Sequence, residues 1–224
     1  MHLKTGKKFK FLLYSLLVIF LTSTNNYNYK ISDSFKIKYV YVDGFSDKKN
    51  NLIKKEIKEV LKKNIFFINN VYFAKLIDRS DIKYLNVKKK YPNELIINIV
   101  PAKPICIILV ENSKIFLGDN GKKLDIEIED YNLPTVTGSK NLRTIFDVIN
   151  LLSLSRFNYS LIDQIIFFKS GRFDLILENK VVVKFPIKYD IKIINYIGSL
   201  LNEKKFANSK IIDFRIENRI IKYE

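Results

Sequence analysis

Behind Lys4, Lys7, Lys8 and Lys10 the chain carries one continuous apolar run, Phe11 to Leu21, and then breaks into short periodic segments. Ile37, Tyr39 and Tyr41 alternate with Lys36, Lys38 and Val40, the two-residue period of a strand. Asp43-Gly44 turns the chain, and Ile53, Ile57, Val60 and Leu61 then recur at helical spacing, with Ser46 or Asp47 as cap. A shorter helix is predicted over residues 70–80, with Asn70 as its cap and Phe73, Ala74 and Ile77 on one side. Residues 81–90 and 94–100 flank Pro92-Asn93 as a hairpin, with Leu85 and Val87 facing one way and Lys83 and Lys89 among the residues alternating with them. The predicted order is strand, helix, helix, strand, strand.

Pro101 and Pro104 follow at once. Proline lacks a ladder donor and fixes φ, so these two mark an edge or a boundary and are read as a junction between two modules. Beyond them the pattern changes to short strands (104–110, 114–118 and 122–128) separated by Glu111-Asn112-Ser113 and Asp119-Asn120-Gly121, a chain of hairpins closed by LPTVTG, residues 133–138. A helix is predicted over Asn141 to Arg156, on the stripe Leu142, Ile145, Phe146, Ile149 and Leu152. A hairpin across Ser170-Gly171 and a further strand, 180–186, come next. A last helix, Asp190 to Lys204, presents Ile193, Ile194, Ile197, Leu200 and Leu201, and the chain ends in one strand, 210–224.

Composition narrows the chemistry. The only histidine, His2, precedes the apolar run, which removes Ser-His-Asp and Cys-His catalysis and histidine-based metal sites. Cys106 stands alone between apolar neighbours and reads as a packed thiol. Asp125, Glu127 and Glu129 alternate with Ile126 and Ile128, followed by Asp130, and read as the solvated face of a strand rather than a catalytic pair. None of the 7 glycines falls in a phosphate-cradling pattern. The net charge of +16 comes mostly from dispersed lysine, without the compact arginine patch that reads bases, so nucleic acid is not expected as a partner.

Basic residues followed by an apolar run form an export signature. An eleven-residue run suits a cleaved signal by length, whereas the stretch after it offers no Ala-x-Ala cleavage site, only the weak Thr22 and Thr24, so signal and retained anchor both stay open on the residues alone. Either places the rest of the chain outside the cytoplasm, with the lysines inside.

The layout resembles the FtsQ/DivIB family of bacterial cell-division proteins. The residues that carry the resemblance are VDGF (42–45), KKKYPNELIINIVPAKPICII (88–108), FLGDNGKKL (116–124), LPTVTG (133–138), RFDLILENKVVVKFP (172–186) and IIDFRI (211–216), in the family's order. The resemblance implies an α+β architecture. By that resemblance, residues 1–10 are expected to form a cytoplasmic basic tail, 11–24 a transmembrane helix, 25–34 a linker, 35–102 a POTRA domain (β-α-α-β-β), and 103–224 a mostly antiparallel β domain with two packed helices. Pro101 and Pro104 become the interdomain hinge.

The same resemblance implies a non-enzymatic scaffold with no catalytic residue, metal, cofactor or small-molecule substrate. It implies a single-pass protein of the bacterial inner membrane at the division septum, most of it periplasmic. It would bind FtsB-like and FtsL-like proteins and other divisome components, and so help control septal peptidoglycan synthesis. Carried over to this chain, the docking edge is Asp213, Phe214, Arg215, Ile216, Glu217, Arg219, Ile220 and Tyr223, with Arg172 as a charged contact. Phe173 stands where the family often has tryptophan, and the terminal stretch lacks the glycine that often follows the last motif. The competing expectation is a periplasmic POTRA protein of outer-membrane assembly or export, and a third, weaker one is an enzyme built on the acidic cluster.

Overall fold

The computed structural model describes residues 7–23, 31–111, 113–126, 132–201, 209–216 and 219–224. Helix α1, Lys7–Ser23, contains the apolar run, and its large apolar side chains from Phe9 to Leu21 are 52–77 % exposed. Among the described residues no helix is long and apolar enough to cross a membrane. A single helical turn, α2 (Ile31–Ser34), precedes the first sheet.

That sheet has three strands in the order β1-β3-β2: β1 is Tyr39–Asp43, β2 Ile82–Lys90 and β3 Glu94–Pro101. β3 pairs antiparallel with β2 and parallel with β1. Parallel neighbours need a crossover, and the segment between β1 and the hairpin supplies it: helix α3 (Asp47–Glu56), three 3-10 turns and the short helix α4 (Ala74–Ile77). Ile53, Ile57, Val60, Ile65, Phe73 and Leu76 pack there against Val42, Leu95, Ile97 and Ile99. Ser46 occupies the N-cap of α3 without a side-chain bond. The turn is held instead by Asn50, 6 % exposed, which accepts from the Phe45 N–H at 3.2 Å and donates to the Phe45 carbonyl at 2.9 Å. Gly44 in this turn has φ +126°, and a Cβ on it would sit 1.9 Å from the Ile99 carbonyl oxygen, so only glycine fits.

The second sheet runs β12-β11-β10-β9-β8-β7-β4-β5-β6. Its members are β4 (Pro104–Val110), β5 (Ser113–Gly118), β6 (Lys123–Leu124), β7 (Thr135–Thr137), β8 (Ile162–Phe167), β9 (Phe173–Leu177), β10 (Val182–Lys184), β11 (Ile211–Asp213) and β12 (Ile221–Tyr223). Two helices cover one face: α5, Leu142–Leu154, capped by the Asn141 side chain, and α6, Ile191–Leu201. Each is a crossover between parallel neighbours, α5 from β7 to β8 and α6 from β10 to β11. Ile145, Val148, Ile149 and Leu152 of α5 and Ile194, Ile197 and Leu200 of α6 meet Ile108, Val136, Ile165, Leu175, Val183 and Ile212 in one core.

Several expectations change. β1 starts only at Tyr39, so Val40 and Val42 face the core while Tyr39 and Tyr41 point to solvent; Ile37 is buried just before the strand, held by backbone bonds with Lys62 and Lys63. Lys89 shares a face with Leu85 and Val87, as residues two apart in a strand must, and its ammonium reaches the Phe66 carbonyl at 3.3 Å. LPTVTG does not close a meander, because β7 inserts parallel between β4 and β8. The acidic strand ends at Leu124; Asp125 is exposed, and Glu127, Glu129 and Asp130 lie outside the described residues. The terminal segment is two strands rather than one. After a turn closed by the Arg219 N–H on the Ile216 carbonyl at 3.1 Å, β12 folds back antiparallel on β11.

Candidate partner-docking edge

β12 forms one border of the nine-stranded sheet, and it covers the side of β11 opposite β10. Its register on β11 is Tyr223 beside Ile211, Lys222 beside Ile212, and Ile221 beside Asp213. Ile212 is a core residue, so Lys222 lies at the border of the helix-covered face, while Ile221 and Tyr223 border the other face. The far side of β12 has no strand neighbour among the described residues, which leaves one row of its backbone groups open to an added strand.

A row of charged residues leads to that border on the face away from the helices. Asp174 on β9 is the register partner of Lys184 on β10, Lys184 of Asp213 on β11, and Asp213 of Ile221 on β12. Asp213 is 4 % exposed and would be costly to bury unpaired. It is clamped by Arg215: the guanidinium donates to both carboxylate oxygens at 2.6–2.9 Å, and the Arg215 N–H adds a bond at 3.0 Å. The Arg215 side-chain bonds hold the Asp213 carboxyl below the usual carboxylate range against the opposing effect of burial. Asp174, also 4 % exposed, goes the other way. Burial raises its pKa, opposed by the charges of Arg172, Lys184 and Arg215.

The sequence-predicted residues therefore divide. Asp213, Arg215 and, through Asp174, Arg172 contribute to this one electrostatic row. The Arg172 guanidinium also stacks over the Phe168 ring at 4.2 Å. Phe214 is buried at 8 % and belongs to the core, as does the half-buried Ile220 that packs against it. Ile216 and Tyr223 are each 50 % exposed, Arg219 is exposed, and Glu217 lies outside the described residues. Phe173 is fully buried, stacked on Phe185 at 4.6 Å with Tyr189 edge-on at 4.9 Å, so this aromatic position serves packing. Asp174 and Lys184 were not singled out in the sequence, where Asp174 differs from an ordinary strand residue only in lying directly after Arg172-Phe173.

The second predicted feature is the junction. Pro101 ends β3 and Pro104 starts β4, leaving Ala102 and Lys103 between them. The Ala102 N–H bonds the Asp81 carbonyl at 3.0 Å and the Lys103 N–H bonds the Asp119 carboxylate at 2.9 Å. Beside it, a cleft of about 530 Å³ is lined by Phe45, Lys49, Arg79, Asp81, Pro101 and Leu124, among others. Three of its charges form one network, in which Asp81 binds Arg79 at 2.9 Å and Lys49 at 2.6 Å and Arg79 also holds Glu56 at 2.8 Å, while exposed Asp125 lines the cleft as well. Among the described residues no three His, Cys, Asp or Glu side chains converge to hold a metal ion.

The sequence is 23 % identical to the cell division protein FtsQ of Rickettsia typhi over 202 residues, covering 88 % of this chain and 75 % of that protein. It is 25 % identical to FtsQ of Rickettsia prowazekii over 206 residues, with the same coverage of both. The chain is a relative of the FtsQ cell-division proteins. No family model matches it. Among solved structures, the major extracytoplasmic domain of the trans isomer of the cell division protein DivIB from Geobacillus stearothermophilus aligns with a TM-score of 0.35 and 12 % identity, over 47 % of this chain and 96 % of that one.

Proposed function

We propose that this FtsQ relative is a non-enzymatic scaffold of bacterial cell division that binds FtsB-like and FtsL-like proteins by strand addition along the outer edge of β12. In this role it helps control septal peptidoglycan synthesis. The observation that carries the reading is the open edge of Ile221–Tyr223 at the border of the nine-stranded sheet, with exposed Tyr223 as an aromatic contact. Arg172, Asp213, Arg215, Ile216, Glu217, Arg219 and Ile220 are assigned to the edge or its support; Phe214 acts only by fixing β11 from the core.

The β-α-α-β-β unit of residues 35–102 is assigned as a POTRA domain and residues 103–224 as a β domain. Helix α1 is assigned to single-pass attachment at the inner membrane, with the amino terminus cytoplasmic and the rest periplasmic. The exposed apolar surface of α1 and the lysines at its start, Lys7, Lys8 and Lys10, support this assignment. Its 17 residues span about 26 Å at 1.5 Å per residue, against a hydrocarbon core of about 30 Å.

Co-purification tests the reading. Full-length protein co-expressed with the FtsB-like and FtsL-like proteins of its own organism is compared with a chain ending at Ile220. That truncation removes β12 and keeps Ile220, which packs on the core. Retention of the partners by the full chain and their loss from the truncated one is expected; equal retention refutes edge docking.

A further inference from the structure

The two hydrophobic cores share no residue, so no common apolar core holds the three-stranded lobe to the nine-stranded one. Lobes linked in this way ordinarily reorient. Here the turn from Gly118 to Lys122 reaches from the second lobe to the end of the first and bonds it through the side chains of Asp119, Asn120 and Lys122.

Asn120 is its centre. The side-chain amide donates to the Ser80 carbonyl at 2.7 Å and to the Ile82 carbonyl at 2.9 Å, while its oxygen accepts the Lys122 N–H at 3.0 Å, so both protons and the acceptor are used. Asp119 braces the connector: its backbone N–H bonds the Lys103 carbonyl at 2.8 Å, one carboxylate oxygen takes the Lys103 N–H, and the other takes the Lys83 ammonium at 2.9 Å. The Lys122 ammonium reaches the carbonyls of Ile77 at 3.0 Å and Arg79 at 3.4 Å, at the end of α4. Pro101 and Pro104 have fixed φ, and the two residues between them have both N–H groups engaged.

We propose that the Asp119–Lys122 turn is a latch that fixes the orientation of the two lobes, with Asn120 as its pin. The connector at Pro101–Pro104 then flexes only when the latch opens. Because the latch consists of hydrogen bonds and one ion pair and buries no core side chain, it opens without unfolding either lobe.

Spin labels on Cys at Leu52 (α3, 50 % exposed) and Leu154 (α5, 71 % exposed) report the lobe-to-lobe distance in the detergent-solubilised full chain; Cys106 is fully buried and stays unlabelled. A narrow distance distribution is expected for the otherwise native chain, at least twofold broader in Asn120→Ala and broader again in Asn120→Ala/Asp119→Ala. A label pair within the first lobe, at Leu52 and Tyr84, should keep its width in every variant. Lys83→Met/Lys122→Met removes latch contacts through side chains outside both cores and should broaden the first distance even if Asn120→Ala unfolds a lobe. A distribution equally narrow in the latch variants, or equally broad with the latch intact, overturns the proposal.

Discussion

The Arg215 guanidinium grips the Asp213 carboxylate through three bonds of 2.6–2.9 Å, two residues away on the same chain. Asp213 is buried and Arg215 is 38 % exposed at its side chain, so the pair stabilises chiefly by relieving a buried charge at the point where β11 meets β12. Arg215→Met should lower stability by about 1–3 kcal/mol, the cost of leaving a buried polar group unsatisfied. The check is a urea midpoint at neutral pH. The loss should shrink in acid: the folded pKa of Asp213 is depressed, so its contribution is present above the unfolded value of about 3.9 and vanishes as pH falls through the folded one.

Asp174 should behave with the opposite sign. Burial raises its folded pKa, so its ionisation costs stability at neutral pH, and this cost is removed as pH falls through the raised value. Asp174→Asn keeps the shape without the charge. It is expected to raise the urea midpoint at pH 7 and to leave it unchanged well below pH 4; an equal loss at both pH values would show that the carboxylate is needed for structure.

Gly138, at the end of LPTVTG, has φ +81°, and a Cβ there would lie 1.9 Å from the Phe167 carbonyl oxygen. Gly138→Ala must strain the turn or push β7 from β8, at a cost of at least about 2 kcal/mol. Gly44→Ala meets the same obstacle at the Ile99 carbonyl oxygen. Thermal melting of both variants, with exposed Gly171→Ala as the milder comparison because nothing lies within 4 Å of its Cβ position, tests this.

Cys106 is buried on β4, and desolvation pushes its thiol pKa up to about 12. It should resist maleimide in the native protein at pH 7 and react promptly in denaturant. Labelling at the unfolded rate without denaturant would contradict the packing of β4 against the helices.

Much of this architecture was legible in the sequence because local period and turn chemistry agree. The stripe Ile145, Ile149, Leu152 marked α5, and Pro92-Asn93 marked the β2–β3 hairpin. Pairing partners were less legible. A three-residue segment such as Thr135–Thr137 has too little pattern to show that α5 carries the chain across to a parallel neighbour. The terminal segment read as one strand because its apolar residues continue beyond Ile216; the reversal depends on a local bond from Arg219 to Ile216 that no glycine announces. Asp174 and Asn50 look like ordinary polar positions, and only the tertiary fold buries them.

Hydrogen exchange on the full-length protein, alone and co-purified with its FtsB-like and FtsL-like partners, tests edge docking most directly. Slower exchange on binding concentrated at Ile221–Tyr223, with β1 and β2 unchanged, is the predicted result. Protection confined to the three-stranded sheet, with the β12 amides exchanging as fast as in the free protein, would contradict it.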